Sequence, residues 1–208
     1  MSDPAARVAP SEFEEWPVAQ RLHAQPLPLI TALPAGTTLI RQGDPCVRAW
    51  TVMSGVLIER IVSAEGRLLI PRMPGAGDVI GGIDAAPSAV SVTVLRRCAI
   101  RTASAAELEA GLAARERQAL AFASELAWLD TPAAIERRLR QIADRFGRTA
   151  PGGTAIGLTL TQEELGAFAG TTRESANRAV AGLLRSGTLH RLARGRYLIR
   201  SPLRSVGA

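Results

Sequence analysis

Near its C-terminus the chain reads GTTRESANRAV, Gly170 to Val180. Arg173 with Asn177 and Glu174 with Arg178 are i, i+4 pairs, so on a helix the four share a face. Their types suit the reading of base edges. A guanidinium bonds guanine O6 and N7 together, a carboxylate accepts from cytosine N4, and an amide pairs with adenine. Other chemistries are thinly supplied. All 25 basic residues are arginine, so no lysine is present for a Schiff base or a P-loop. Cys46, Cys98, His23 and His190 are too few and too scattered for a zinc site or a four-cysteine iron–sulfur cluster. Both thiols read as ordinary buried groups, and no metal or cofactor is expected. A cupin-like enzyme would need several histidines inside a β roll, whereas His23 precedes the strand-rich region and His190 follows it. GxSxG, P-loop and GxGxxG fingerprints are absent, so no catalytic residues are assigned and the chain reads as a non-enzyme.

A reading face needs elements to hold it. Thr161 and Glu164 have the spacing of a capping box, and Leu165, Phe168 and Ala169 give a first short helix its apolar side. Gly170 supplies a turn, and Thr171 or Thr172 caps a second helix. Ala176, Val180, Leu183 and Leu184 bury the side opposite the polar face, and Gly187 ends the helix. TLHRLARGRYLIR then reads as two strands around Ala193–Arg194–Gly195, lined by Arg191, Arg194, Arg196 and Arg200. Helix, turn, helix and basic hairpin in this order describe a winged helix-turn-helix. Thr161, Thr171, Thr172 and the wing residues Arg191, Arg194 and Arg196 are expected at phosphates, which position a protein without specifying sequence. Charge agrees. Residues 1–130 carry 12 arginines against 14 acids, and residues 131–208 carry 13 against 5, so the back half suits a polyanion.

Upstream, residues 33–103 hold β-branched runs broken by Gly43, Gly55, Gly66 and Gly77. Short strands with turn signals at that interval predict an antiparallel roll, with an unrelated β-sandwich fitting the pattern equally. Ser104 and Glu107 can box a helix start. Ala119, Phe122, Leu126, Leu129 and Ala133 follow at heptad-like steps, a seam read as a dimer interface, with packing on the chain's own β domain as the alternative. Pro132 marks a break or a new helix start. Ile135, Leu139, Ile142 and Phe146 share a helix face. GRTAPGG reads as a flexible connection and TAIGLTL as a short strand. The acidic, proline-bearing N-terminus lacks the pattern of a signal peptide, and the protein is expected in the cytoplasm. It reads as a loose arm, with no role assigned to its FEEWP stretch.

The ordered phrases LPAGTTLIRQGD, MSGVL, PGAGDVIGG, LTQEELGAFAG and TRESANR resemble the Crp/Fnr family of bacterial transcription regulators from about residue 30 to 200. The resemblance implies an α+β fold. It has an N-terminal double-stranded β-helix (a cyclic-nucleotide-binding-like jelly roll), a long dimerisation helix, and a C-terminal winged helix-turn-helix. The expected divisions are an arm at 1–29, the roll at 30–103, the dimer helix at 104–131 and the DNA-binding domain at 132–208. It further implies a homodimer on a palindromic, TGTGA-like operator, a contact with RNA polymerase, activation of transcription, and base reading by Arg173, Glu174 and Arg178. Asn177 departs from the family's usual residue and adds an adenine contact. Gln162 stands where the cyclic-AMP receptor has an arginine near the backbone, so that phosphate contact becomes neutral. The cyclic-nucleotide cassette departs further. In GGIDAAPSAVSV, Gly82 replaces the ribose-holding glutamate, and no arginine occurs between Gly81 and Val92. Burying a cyclic phosphate there without a cation is costly, so regulation without cyclic AMP is expected. Gating by another small molecule or by cysteine redox is the alternative.

Overall fold

The computed structural model describes residues 30–83, 85–193 and 195–200. The N-terminal arm, with Trp16 and His23, and the wing residue Arg194 lie outside the described residues. Contacts divide the chain into two compact units. One runs to Glu65 and resumes over Met73–Arg115; the other comprises Gly66–Arg72 and the chain from Glu116. The mixed α+β class expected from the sequence is the one observed.

The first unit is a set of antiparallel strands: β1 (Thr31–Leu33), β2 (Thr38–Ile40), β3 (Ala49–Val62), β5 (Val79–Gly81) and β6 (Ser91–Thr102). The intervening two-residue strand β4, Leu68–Leu69, falls in the second unit. β6 pairs with β1, β2 and β3, and β3 also pairs with β5. The alternation of SVTVLRRCAIRT explains β6, which turns Val92, Val94, Cys98 and Ile100 inward. With Leu39, Trp50, Val52, Leu57 and Ile80 they form the core, built mainly from branched aliphatics as the low aromatic content requires. Gly55 does not end a strand, although its spacing suggests a turn. β3 continues through it, with register shifts between Val52 and Leu57. Its φ of +95° and the backbone of Arg97 and Cys98 leave no room for a Cβ, so a bulge absorbs the glycine within the ladder.

Helix α1 (Ala105–Trp128) starts in the first unit and ends in the second. The Ser104–Glu107 box is formed: the Ser104 N–H donates to Glu107 Oε2 at 2.9 Å, and the Glu107 N–H donates to Ser104 Oγ at 3.3 Å. Arg101 adds a bond to Glu107 Oε2 at 2.8 Å. That bond first, and the Ser104 bonds after it, hold the Glu107 carboxyl down at about 2. Farther along, the Arg115 guanidinium donates to the Gly81 carbonyl at 2.7 Å, and Gly111 lies too close to the Val79 side chain for any Cβ.

In the second unit, α2 (Thr131–Phe146) begins at the N-cap Asp130, with Pro132 in its first turn. It buries Ile135, Leu139 and Ile142 on one face, each contributing about 1.5–3 kcal/mol. The GRTAPGG stretch, expected to be a flexible connection, is instead ordered as a hairpin. β7 (Gly147–Ala150) and β8 (Gly153–Ile156) pair from Gly147↔Ile156 to Ala150↔Gly153. Pro151 and Gly152 form the two-residue turn, Gly152 at φ +85°. The glycines that resemble a linker by composition are the residues that such a tight turn requires. α3 (Gln162–Phe168), α4 (Arg173–Arg185), β9 (Leu189–Ala193) and β10 (Arg196–Ile199) follow, in a sheet ordered β7-β8-β10-β9.

Candidate nucleic-acid interface

Two caps and a turn set the direction of α4. Thr161 Oγ1 accepts from the Glu164 N–H at 3.1 Å, and Glu164 Oε2 accepts from the Thr161 N–H at 3.0 Å, closing a capping box on α3. After Phe168 the chain reverses through Gly170 at φ +67°, where the Thr171 N–H donates to the Gly166 carbonyl at 2.8 Å. Thr172, rather than Thr171, is the N-cap of α4, accepting from the Ser175 N–H at 3.2 Å. α4 buries Ala176, Ala179, Val180 and Leu183. Arg173, Glu174, Asn177 and Arg178 are all exposed, on the arc opposite. The helix therefore presents cationic, anionic and amide groups together at its N-terminal half, the end that a recognition helix offers to base edges. Glu174 in the first turn also suits the positive end of the helix dipole.

The four predicted readers are not alike. Arg173 lines a cleft with Thr159, Thr161, Gln162, Glu163 and Gly195. The Arg178 guanidinium turns back to Ser175 Oγ at 3.2 Å and lines a separate groove with Thr131, Pro132, Ala179 and Gly182.

The residues expected at phosphates divide in the same way. Arg191 and Arg196 are exposed on the wing strands. The Thr161 and Thr172 hydroxyls act within the caps, and Thr171 Oγ1 lies 3.4 Å from Thr131 Oγ1. Gln162 turns inward: its Nε2 donates to the buried Tyr197 hydroxyl at 3.0 Å, tying α3 to wing strand β10. Tyr197 escaped the sequence reading. The signal was present, since it is the chain's one tyrosine, set among wing arginines where a buried phenol needs a polar partner. Ser175, which bonds both the cap and Arg178, also went unassigned.

The predicted helix seam is similarly divided. Ala119 and Leu126 are exposed and Leu129 is half-buried, while Phe122 is buried within the second unit. Its ring faces the guanidinium of Arg138, 4.3 Å from the centroid. Leu112, Leu120 and Trp128 are the other large exposed apolar residues of α1.

In the first unit both cysteines are buried thiols. Burial pushes Cys98 up to about 11, away from the thiolate form that redox chemistry uses. Among the described residues no helix is long and apolar enough to cross a membrane.

Residues 134–204 match the Crp-like helix-turn-helix domain. Over 171 residues the chain is 29% identical to the CRP-like cAMP-activated global transcriptional regulator of Mycobacterium tuberculosis, covering 74% of this chain and 76% of that protein. Its fold is similar to a CRP/FNR-family transcriptional regulator from Thermus thermophilus, with TM-score 0.73 and 19% identity, covering 83% of this chain and 93% of that one. It is also similar to the c-di-GMP responsive global regulator CLP of Xanthomonas campestris, with TM-score 0.71 and 22% identity, covering 83% and 94%. These relatives are transcription regulators, not enzymes.

Proposed function

We propose, from the match over residues 134–204 and the likeness to a CRP-like regulator, that the chain is a transcription regulator of the Crp/Fnr family that acts in the cytoplasm as a homodimeric activator. It reads a palindromic, TGTGA-like operator, contacts RNA polymerase, and works without cyclic AMP. The observation that carries this reading is the exposed group Arg173, Glu174 and Asn177 on the N-terminal half of α4, opposite its buried side. Arg173 reads guanine, Glu174 cytosine and Asn177 adenine. Arg178 joins them by leaving Ser175. Arg191, Arg194 and Arg196 neutralise phosphates. Thr161, Gln162, Thr171 and Thr172 hold the helix ends against the phosphates beside them.

The division of labour follows the chain: a roll over 30–103, a dimer helix over 104–131 and a DNA-binding domain over 132–208. The exposed Ala119, Leu112, Leu120 and Leu126 supply an apolar face for a second copy. Gly82 and the lack of arginine from Gly81 to Val92 argue against a buried cyclic phosphate. Arg115, one of the nearby cations, already serves the Gly81 carbonyl. A second reading, gating by a different small molecule, is favoured by an apolar groove lined by Val47, Ile83, Ala103 and Leu108. The buried, high-pKa Cys98 argues against redox gating.

Fluorescence anisotropy of the ligand-free protein tests the reading, with a TGTGA palindrome and a scrambled duplex at near-physiological salt. Tight, selective binding is the expected result. Equal affinity for both duplexes would overturn it. A calorimetric titration giving micromolar cyclic-AMP affinity would overturn the ligand-free part alone.

A further inference from the structure

Arg138 of α2 is 6% exposed. Its guanidinium lies between two rings, 4.3 Å from the Phe122 centroid and 4.9 Å from that of Phe168. Its Nη2 is 3.0 Å from Glu125 Oε2, and its Nη1 donates to Gln141 Oε1 at 2.7 Å. Glu125 is held in turn by Gln141 Nε2 at 3.1 Å and Arg137 Nε at 2.5 Å. Burial lowers the Arg138 pKa and the Glu125 charge opposes that shift; an arginine stays charged regardless.

A buried ion pair is a poor choice if cohesion is all that is needed, because apolar side chains of the same volume do as well or better. What arginine adds is geometry. Its flat cation fixes two ring planes and a carboxylate at once. Those rings bear on one place. Phe168 is the last residue of α3, where the helix-turn-helix turn begins. One helical turn beyond Phe122, Leu126 covers Gly170 so closely that a Cβ there would overlap its Cδ2. Thr131, at the start of α2, meets Thr171. Three contacts from the α1–α2 corner thus reach Phe168, Gly170 and Thr171, directly before the cap of α4.

We infer that Arg138 is a positioning residue for DNA reading: stacked between Phe122 and Phe168 and paired with Glu125, it holds the turn that aims α4. Arg138 touches no base. It acts through the turn on Arg173, Glu174 and Asn177. The functional half of this inference rests on the DNA-binding reading; the mechanical half does not.

The test uses the full chain in three forms: parent, Arg138→Lys, and the double variant Glu125→Gln/Arg138→Met, which leaves no unpaired buried charge. Amide hydrogen exchange is followed at Ala169–Thr171, and operator affinity across a salt series. In both variants, exchange at the turn is expected to accelerate by about tenfold or more while β3 and β6 exchange as before. Operator affinity is expected to fall by about tenfold, with the salt slope unchanged. Lysine keeps the charge and loses the stacking plane, so its failure to rescue separates geometry from charge. Parental exchange at the turn overturns the inference, as does parental operator affinity. A salt slope flatter by about one also overturns it, by making Arg138 a phosphate contact. If the parent selects no duplex, the DNA reading fails, and exchange at the turn still decides whether Arg138 holds it.

Discussion

The exposed polar face of α4 and the corner between α1 and α2 use the same side chain in opposite ways. Arg173 is exposed beside Glu174 and Asn177, while Arg138 is enclosed by two rings, a carboxylate and an amide. A guanidinium in water is held back only by its hydration, so it remains available to a partner that fits its fork. One enclosed by rings and paired with a carboxylate is shut away from other molecules, and its contribution is shape. Composition alone does not distinguish the two, because arginine fills all 25 of the chain's lysine-or-arginine positions.

The largest separation should come from removing the buried cation. Arg138→Ala removes the buried one of Glu125's two arginine partners and empties the space between two rings, and is expected to cost about 3 kcal/mol of stability, read by urea unfolding; a loss below about 1 kcal/mol would place the pair among ordinary surface bridges. Arg173→Ala should leave stability nearly unchanged and weaken operator binding by about 1–3 kcal/mol, with relaxed specificity. Equal losses on scrambled DNA would remove it from the base readers. Arg196→Ala should weaken binding to all sequences alike and flatten the salt dependence by about one; a sequence-dependent loss would make the wing a reader. The smallest effect concerns Glu107, a third environment in which an arginine meets a carboxylate at an exposed helix start. Its carboxyl sits at about 2 against an ordinary 4.5. The carboxylate therefore favours the folded state above 4.5, and that contribution is lost as pH falls toward 2. Thermal melts of Glu107→Gln should be less pH-dependent across that window than those of the parent. A parallel acid limb would show that the box and the Arg101 bond contribute nothing.

The winged helix-turn-helix was legible because its signals are local. A cap, a glycine and an apolar period lie within a few residues of one another, so Thr161, Gly170 and Ala176–Val180 could be assigned from spacing alone. The Ser104–Glu107 box was legible for the same reason. Signals with two physical meanings were misread. Gly55 looks like a turn and is a bulge, because only pairing with Arg97 and Cys98 shows that the strand continues. GRTAPGG looks like a linker and is a hairpin, because its order comes from β10 alongside β8.

By itself, then, the sequence determined the succession of a strand-rich front and a helical back, the buried side of α4 and the residue types at its polar N-terminal half, set by periodicity and short-range capping. Tertiary structure alone decided which polar groups face outward. Phe122 has the spacing of a seam residue, yet it lies against Arg138. Gln162 has the position of a phosphate contact, yet it is tied to Tyr197. Both assignments depend on partners 16 and 35 residues away, and a side chain's direction at that range is set by packing, which spacing along the chain does not encode.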